Sequence, residues 1–200
     1  FTRMRSIQKK YNCPSCNQNL DHVICSEFPK ESFDFTNIFG DNIGPDYVFD
    51  FKSRVFFPKD YYRSKIEALW MCKCPTCSTV KRDMKSLRGH VYGEHKMQIC
   101  NLCIEHKQVF PSEHKVYTQG QYETHLRKGD GDGSKGHPNC EFCRTRFYSS
   151  TELFHHLVKD HYSCFICEKA GVSFKYYKDY NSLEDHFRKD HILCEDPGCI

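Results

Sequence analysis

The chain has 200 residues, of which 38% are hydrophobic, and its 29 basic and 26 acidic side chains leave a net charge of +3. So small a basic excess disfavours a protein that depends on duplex DNA. The sequence also contains no run of eighteen apolar residues, the length that a membrane-spanning helix needs. Bound metal can supply the folding free energy that small, thin cores lack, and the chain has fourteen Cys and twelve His. We therefore expect small zinc-stabilised domains and, because the chain begins with Phe1 rather than Met, a piece of a longer protein.

Most of the cysteines form short Cys-x2-Cys pairs, and four of these pairs are followed by spaced histidines. This pattern favours metal sites in a reducing compartment over disulfides. The sequence thus predicts at least four structural Zn²⁺ ions and a cytoplasmic protein.

Residues 1–27 contain half of a metal site. A basic segment compatible with a helix, Thr2 to Lys10, precedes Cys13-Pro14-Ser15-Cys16. Two thiolates alone cannot complete a tetrahedral zinc site. The pair is therefore either part of a larger site or two free thiols.

Residues 28–71 carry no metal pattern and are predicted to be a linker with one short strand and one helix. The strand is Val55 to Phe57, and the helix begins near Asp60 and runs through Met71. An apolar stripe follows the helical period at four residues: Tyr62, Ile66, Leu69 and Trp70. We expect this stripe to pack on the finger that follows, the alternative being a helix that binds a partner.

Residues 72–97 have the spacing of a Cys2His2 finger. The predicted ligands are Cys74, Cys77, His90 and His95. Cys72 is excluded, because one intervening residue is an awkward spacing for a shared metal. A basic flank is a candidate for phosphate contact, or else a solvated helix face, and it consists of Lys81, Arg82, Lys85 and Arg88.

Residues 98–138 form the loosest of the predicted fingers. Cys100 and Cys103 are clear ligands, and His125 ends a predicted helix that begins near Thr118. His137, after a Gly-rich stretch, is the expected fourth ligand. His106 and His114 are the alternatives, although both precede the helix.

Residues 139–162 and 163–192 are predicted as two further fingers, and residues 193–200 as the start of a fifth. The first uses Cys140, Cys143, His156 and His161, and the second uses Cys164, Cys167, His186 and His191. Ser149 and Glu152 fit a capping box at the start of the first finger's helix, and the second finger has an insertion around Gly171. Cys194 and Cys199 would open the fifth finger.

The joints between these fingers are two to four residues long, so we expect neighbouring fingers to touch. The helix positions that read DNA bases carry no Arg, and several are acidic, for example Glu152 and Asp179. Guanine recognition needs Arg or Lys there, so duplex DNA is an improbable partner. No arrangement of residues suggests small-molecule catalysis.

The ordered series of Cys and His motifs from Met97 to Ile200 resembles the zinc-finger region of eukaryotic RING-type ubiquitin ligases that sense collided ribosomes. The matching stretches include Ile99-Cys-Asn-Leu-Cys-Ile-Glu-His106, Gly136-His-Pro-Asn-Cys-Glu-Phe-Cys143, Glu152-Leu-Phe-His-His-Leu157 and His186-Phe-Arg-Lys-Asp-His-Ile-Leu-Cys-Glu195. The order of the fingers and their short joints agree as well.

The resemblance implies a RING ahead of the fingers, with Cys13 and Cys16 as the last ligand pair of its second zinc site. Pro14 would contact a ubiquitin-conjugating enzyme, whereas Asn17 departs from the Arg that often follows the last RING cysteine. The fingers would dock on the small ribosomal subunit, through rRNA and ribosomal proteins, and ubiquitin would pass to lysines of small-subunit proteins. Two other functions stay open: a module that binds structured RNA or DNA, and a scaffold without ligase activity.

Overall fold

The computed structural model describes residues 1–26 and 46–191, so the predicted opening of a fifth finger, Cys194 and Cys199, lies outside the described residues. The chain divides into two compact units, Phe1–Gln119 and Gly120–Ile200. Within the described ranges, no helix has both the length and the apolar character that a membrane crossing requires.

The first unit begins with helix α1 (Thr2–Ser6) and a three-stranded sheet. The sheet has strand β1 (Val23–Ile24) parallel to β3 (Val55–Pro58), and β2 (Tyr47–Asp50) antiparallel to β3 on its other side. The central strand was predicted from its β-branched and aromatic residues. The sheet joins a strand from the predicted segment 1–27 to two strands from the predicted linker 28–71.

One continuous helical stretch follows the sheet: α2 (Lys59–Tyr61), a π-helical turn (Tyr62–Ile66) and α3 (Glu67–Trp70). It begins one residue before Asp60, with Pro58 at the N-cap. Ile66 is buried together with Val55 and Phe57 of β3, and the rest of the apolar stripe packs around these three. The prediction that the stripe packs on the following finger was wrong, because β3 covers Ile66 and the ring of Trp70 packs edge-on against Phe110.

Arg5 is fully buried in this region, although its type suggests a surface residue. Its guanidinium donates to the carbonyls of Ser53 at 2.7 Å, Leu20 at 2.8 Å, Asp21 at 3.0 Å and Tyr11 at 3.1 Å. Burial lowers its pKa. Because buried carbonyls need donors, Arg5 holds the turn that carries Cys13 and Cys16 against the hairpin between β2 and β3.

The first finger has the expected ββα order: β4 (Cys72–Lys73), β5 (Val80–Lys81) and α4 (Met84–His95). Asp83 caps α4 by accepting from the Ser86 N–H at 2.7 Å, which lowers the pKa of Asp83 to about 2. The small core contains Leu87, Val91 and Ile99 together with Cys72 and Cys74.

Next come α5 (Asn101–His106), a 3-10 turn (Pro111–Glu113) and α6 (Gln119–Lys128). The predicted helix near Thr118 is therefore present. Ahead of α6, a single β-bridge pairs Gln98 with Tyr117.

The second unit also contains two helices at the positions expected for the last two fingers. One finger contains a single β-bridge, between Asn139 and Arg146, followed by α7 (Ser150–Asp160). The other contains β6 (Tyr162–Ser163), α8 (Phe165–Lys169), β7 (Tyr176–Tyr177) and α9 (Tyr180–Asp190). The predicted insertion around Gly171 follows α8 and contains a left-handed turn at Gly171, whose φ is +86°.

The predicted capping box of α7 is only half formed. The Ser149 hydroxyl accepts from the Glu152 N–H, as expected, but the Glu152 carboxylate accepts from the N–H of Tyr148 rather than from that of Ser149.

Candidate metal centres

Four groups of two Cys and two His have ligand atoms that all lie within 4.8 Å of one another. They are Cys74, Cys77, His90 and His95; Cys100, Cys103, His125 and His137; Cys140, Cys143, His156 and His161; and Cys164, Cys167, His186 and His191. These are the four sets that the sequence spacing grouped together.

The thiol pairs sit on tight turns with a repeated backbone pattern. In two fingers the N–H of the first cysteine, Cys74 or Cys140, donates to the carbonyl five residues on, and its own carbonyl accepts from the N–H four residues on. The residue after the second cysteine, Ser78 or Arg144, is left-handed, with φ of +59° and +63°. The turn therefore aims both thiols at one point, as a shared metal requires.

A threonine two residues after the second cysteine stabilises the thiolate in these two fingers. Hydrogen bonds from the Thr79 hydroxyl and N–H lower the pKa of Cys77 to about 5, and the Oγ1 atom lies 3.2 Å from Sγ. Thr145 acts in the same way on Cys143, whose pKa falls to about 6. Zinc binds the thiolate form, so these threonines favour metal binding, and the sequence analysis missed them.

In the last thiol pair only the first cysteine has a lowered pKa, whereas burial and the neighbouring Cys164 raise the pKa of Cys167. Burial would raise the pKa of Cys164, but hydrogen bonds from the Cys167 N–H and from His186 bring it to about 6.

In the last two groups, His156, His161 and His186 present Nε2 to the thiols and use Nδ1 for other hydrogen bonds. His156 and His186 donate from Nδ1 to the carboxylates of Asp160 and Asp190, at 2.8 Å and 2.6 Å. His161 donates from Nδ1 to the Lys178 carbonyl at 2.9 Å. A proton fixed on Nδ1 leaves the Nε2 lone pair available to a metal.

The distances within the groups fit a tetrahedral ion. Zinc with bonds of about 2.0 Å to N and 2.3 Å to S separates neighbouring ligand atoms by about 3.3–3.7 Å. Cys143 Sγ lies 3.3 Å from His156 Nε2, and the Nε2 atoms of His156 and His161 are 3.2 Å apart. The corresponding pair in the last finger, His186 and His191, is also 3.2 Å apart.

His95 shows that a metal ion fits the first group. Its Nε2 atom is buried and, within the described ranges, has no hydrogen-bond partner, although it belongs to a group of four ligand atoms. A buried polar atom without a partner is costly, and a bound zinc ion would satisfy it.

The second group consists of the ligands predicted for segment 98–138. Cys100 and Cys103 are buried around the start of α5. His125 and His137 are buried as well, with their Nε2 atoms 3.2 Å apart. The alternatives His106 and His114 belong to no group of ligands among the described residues.

Cys13 and Cys16 lie on a turn like those of the fingers. The Cys13 N–H donates to the Gln18 carbonyl at 2.8 Å, and Asn17, at φ +56°, donates to the Cys13 carbonyl at 2.9 Å. Within residues 1–26 and 46–191, the pair joins no group of three or more ligands. Pro14 is exposed on this turn.

The remaining described cysteines, Cys25 and Cys72, lie outside the groups. Burial raises the pKa of both thiols, which keeps them protonated. All described cysteines are free of disulfides, as the spacing predicted.

The basic flank of the first finger is partly engaged. Arg82 pairs with Asp83 at 3.1 Å on the surface, and Arg88 donates to the side chain of Asn101. Lys85 is exposed and Lys81 is half-buried at the end of β5.

Comparison with known proteins extends these observations. A family model described as a C2H2-type zinc finger matches residues 160–200. E3 ubiquitin-protein ligase HEL2 of Saccharomyces cerevisiae is 32% identical over 207 residues, which cover 99% of this chain and 31% of the relative. E3 ubiquitin-protein ligase hel2 of Schizosaccharomyces pombe is 29% identical, covering 99% of this chain and 28% of the relative.

E3 ubiquitin-protein ligase ZNF598 of Homo sapiens is 31% identical, covering 99% of this chain and 22% of the relative. No solved structure matches the chain. The chain spans about a third or less of the length of these relatives. The resemblance inferred from the sequence is confirmed: along 99% of its length, this chain is similar to one segment of the E3 ubiquitin-protein ligases HEL2 and ZNF598.

Proposed function

We propose that this chain is the zinc-finger segment of a RING-type E3 ubiquitin ligase that docks on collided ribosomes and promotes ubiquitin transfer to lysines of small-subunit proteins. The observation that carries the proposal is the similarity, over nearly the whole chain, to proteins named as E3 ubiquitin ligases. The proposed fingers are segments 72–97, 98–138, 139–162 and 163–192.

Each of the four Cys2His2 groups would hold one zinc ion, the second group included. When bound, zinc closes a four-ligand structural site and adds folding free energy, on the order of 10–16 kcal/mol for a finger peptide. Cys13 and Cys16 would complete a RING site with ligands outside this chain, and Cys194 and Cys199 would open a fifth finger. No side chain here forms a covalent bond to ubiquitin.

The chain would promote ubiquitin transfer by holding the charged conjugating enzyme close to the target lysines. A RING that includes the Cys13–Cys16 turn would bind the charged conjugating enzyme, with the exposed Pro14 in the contact. Fingers docked on the small subunit would raise the effective concentration of target lysines near the thioester. The chain's share of the reaction is therefore binding and orientation.

The basic flank of finger one is the proposed rRNA contact. Lys85 and Arg82 are exposed on the flank of α4. The surface pair between Arg82 and Asp83 has a small free energy, so phosphate can replace Asp83 as the partner of Arg82. Lys81 and Arg88 would extend the contact along the same flank.

Ribosome co-sedimentation tests the docking. We expect the double substitution Arg82→Glu and Lys85→Glu to weaken binding of the zinc-loaded chain to ribosomes about ten-fold, because two phosphate contacts are lost. The slope of log affinity against log salt should become shallower by about one per lost contact. The matched control is Lys159→Glu with Lys189→Glu, two exposed lysines on α7 and α9.

Equal binding by the double variant and the control would contradict the rRNA contact. If the wild-type chain does not sediment with ribosomes at all, the ribosome is the wrong partner. A chain that binds free structured RNA as tightly as it binds ribosomes would support the alternative of a general RNA-binding module.

A further inference from the structure

The loop between the two histidines of finger two contains an unusual hydrogen bond. His125 donates from Nδ1 to Asp130 Oδ1 at 2.7 Å, and the two side chains are 5% and 6% exposed. Asp130 is not in the helix: α6 ends at Lys128. A loop therefore brings this carboxylate back over the helix that carries His125.

The loop is built to hold Asp130 in place. The Asp130 N–H donates to the Ser134 hydroxyl at 3.0 Å, and the Ser134 N–H donates to Asp132 at 3.1 Å. Gly129 is left-handed at φ +83°, and a Cβ there would collide with the Ser134 carbonyl. A Cβ at Gly136 would collide with the backbone of Arg127. Both glycines are therefore needed for the loop to close on the end of α6.

In the last two fingers, the Nδ1 of the first histidine also donates to a carboxylate, but that carboxylate belongs to the helix itself. It lies four residues after the histidine, at the last residue of the helix: Asp160 for His156 and Asp190 for His186. These two carboxylates are 51% and 54% exposed, whereas Asp130 is 6% exposed. A hydrogen bond shielded from water is stronger than an exposed one, so the bond of Asp130 should matter most.

We infer that Asp130 is a positioning residue for the metal site of finger two, acting through His125. The bond to Asp130 keeps the proton on Nδ1 and fixes the ring, so that Nε2 lies 3.2 Å from the Nε2 of His137 and presents its lone pair to a metal that both imidazoles would bind. Without Asp130, the ring can rotate and the proton can move to Nε2, the atom that must bind the metal. This inference rests on the proposed zinc site.

Loss of such an outer hydrogen bond lowers metal affinity about 10–100-fold in other zinc proteins. We expect Asp130→Ala to weaken one of the four zinc equivalents of the full chain by about this factor and to leave the other three unchanged. Asp130→Asn keeps an oxygen that can accept from Nδ1, so it should restore much of the affinity. The matched control, Asp160→Ala, removes the exposed counterpart and should weaken its site less, by under about ten-fold.

The measurement is a zinc titration of the full chain against a chromophoric chelator, together with histidine side-chain ¹H–¹⁵N spectra of the zinc-saturated protein. In the wild type and in Asp130→Asn, the Nδ1 proton of His125 should exchange slowly with solvent. In Asp130→Ala that signal should disappear, while far-UV circular dichroism of the saturated protein stays unchanged.

Two outcomes would overturn the inference while leaving the zinc sites intact: all four zinc equivalents keep wild-type affinity in Asp130→Ala, or Asp160→Ala loses as much affinity as Asp130→Ala does. A wild-type chain that binds no zinc would instead contradict the proposed function itself.

Discussion

At the scale of single residues, polar side chains outside the Cys2His2 groups hold the candidate ligands and turns in place: Thr145 contacts Cys143, Asp160 accepts from His156, and Arg5 donates to the turn that carries Cys13 and Cys16. Spacing groups Cys140 with His156 because a zinc ion needs four donors at one point. It does not reveal Thr145, Asp160 or Arg5, whose roles depend on which polar atoms the folded chain brings near them. Arg5 is the extreme case, because the sequence shows only one basic residue among several near the N-terminus.

Arg5 should be essential to the stability of the first unit. Arg5→Met keeps most of the length but removes the donors to five carbonyls, and we expect it to lower the free energy of unfolding by about 3 kcal/mol. Urea unfolding of the zinc-loaded chain, followed by the fluorescence of Trp70, measures this change.

The control lies two residues away on the same helix. Arg3 is 47% exposed and pairs with Glu113 on the surface, so Arg3→Met should cost less than about 1 kcal/mol. If both substitutions cost the same, the buried guanidinium would not have the role described for it.

At the scale of elements, periodicity predicted the helix after β3 and its apolar stripe, but not the partner of the stripe. Ile66 falls on the buried face as expected, yet Val55 and Phe57 cover it rather than finger one. A helical period shows which face is apolar, whereas the choice of partner depends on tertiary contacts. The capping box of α7 was also predicted only in part. Spacing predicted that the Ser149 hydroxyl accepts from the Glu152 N–H, but not that the Glu152 carboxylate accepts from the Tyr148 N–H.

Within the part of the chain that the structure describes, no residue of the cluster around Ile66 belongs to a Cys/His group, so the stability of the cluster depends on packing. Ile66 is 3% exposed, and Ile66→Ala should lower the free energy of unfolding of the first unit by about 2–5 kcal/mol, from lost burial and the cavity left behind. Urea unfolding at saturating zinc, read by Trp70 fluorescence, gives the value.

Lys65→Ala, at the exposed neighbouring position, should change the stability by less than about 0.5 kcal/mol. An Ile66→Ala variant as stable as Lys65→Ala would show that the stripe is not part of the core.

At the scale of the whole chain, the short joints predicted that neighbouring fingers touch, and contacts within the second unit agree. His137 donates from Nδ1 to the Tyr148 carbonyl at 3.2 Å, and His161 donates to the Lys178 carbonyl at 2.9 Å. In both cases the last histidine of one finger is bonded to the next finger. The sequence did not predict that the first sheet would combine residues on both sides of position 27, because β1 and β3 are far apart along the chain.

The account as a whole depends on metal in the four Cys2His2 groups. Native mass spectrometry of the full chain, purified without chelator, measures the number of zinc ions bound per molecule. We predict at least four, and fewer than three ions per chain would contradict the account.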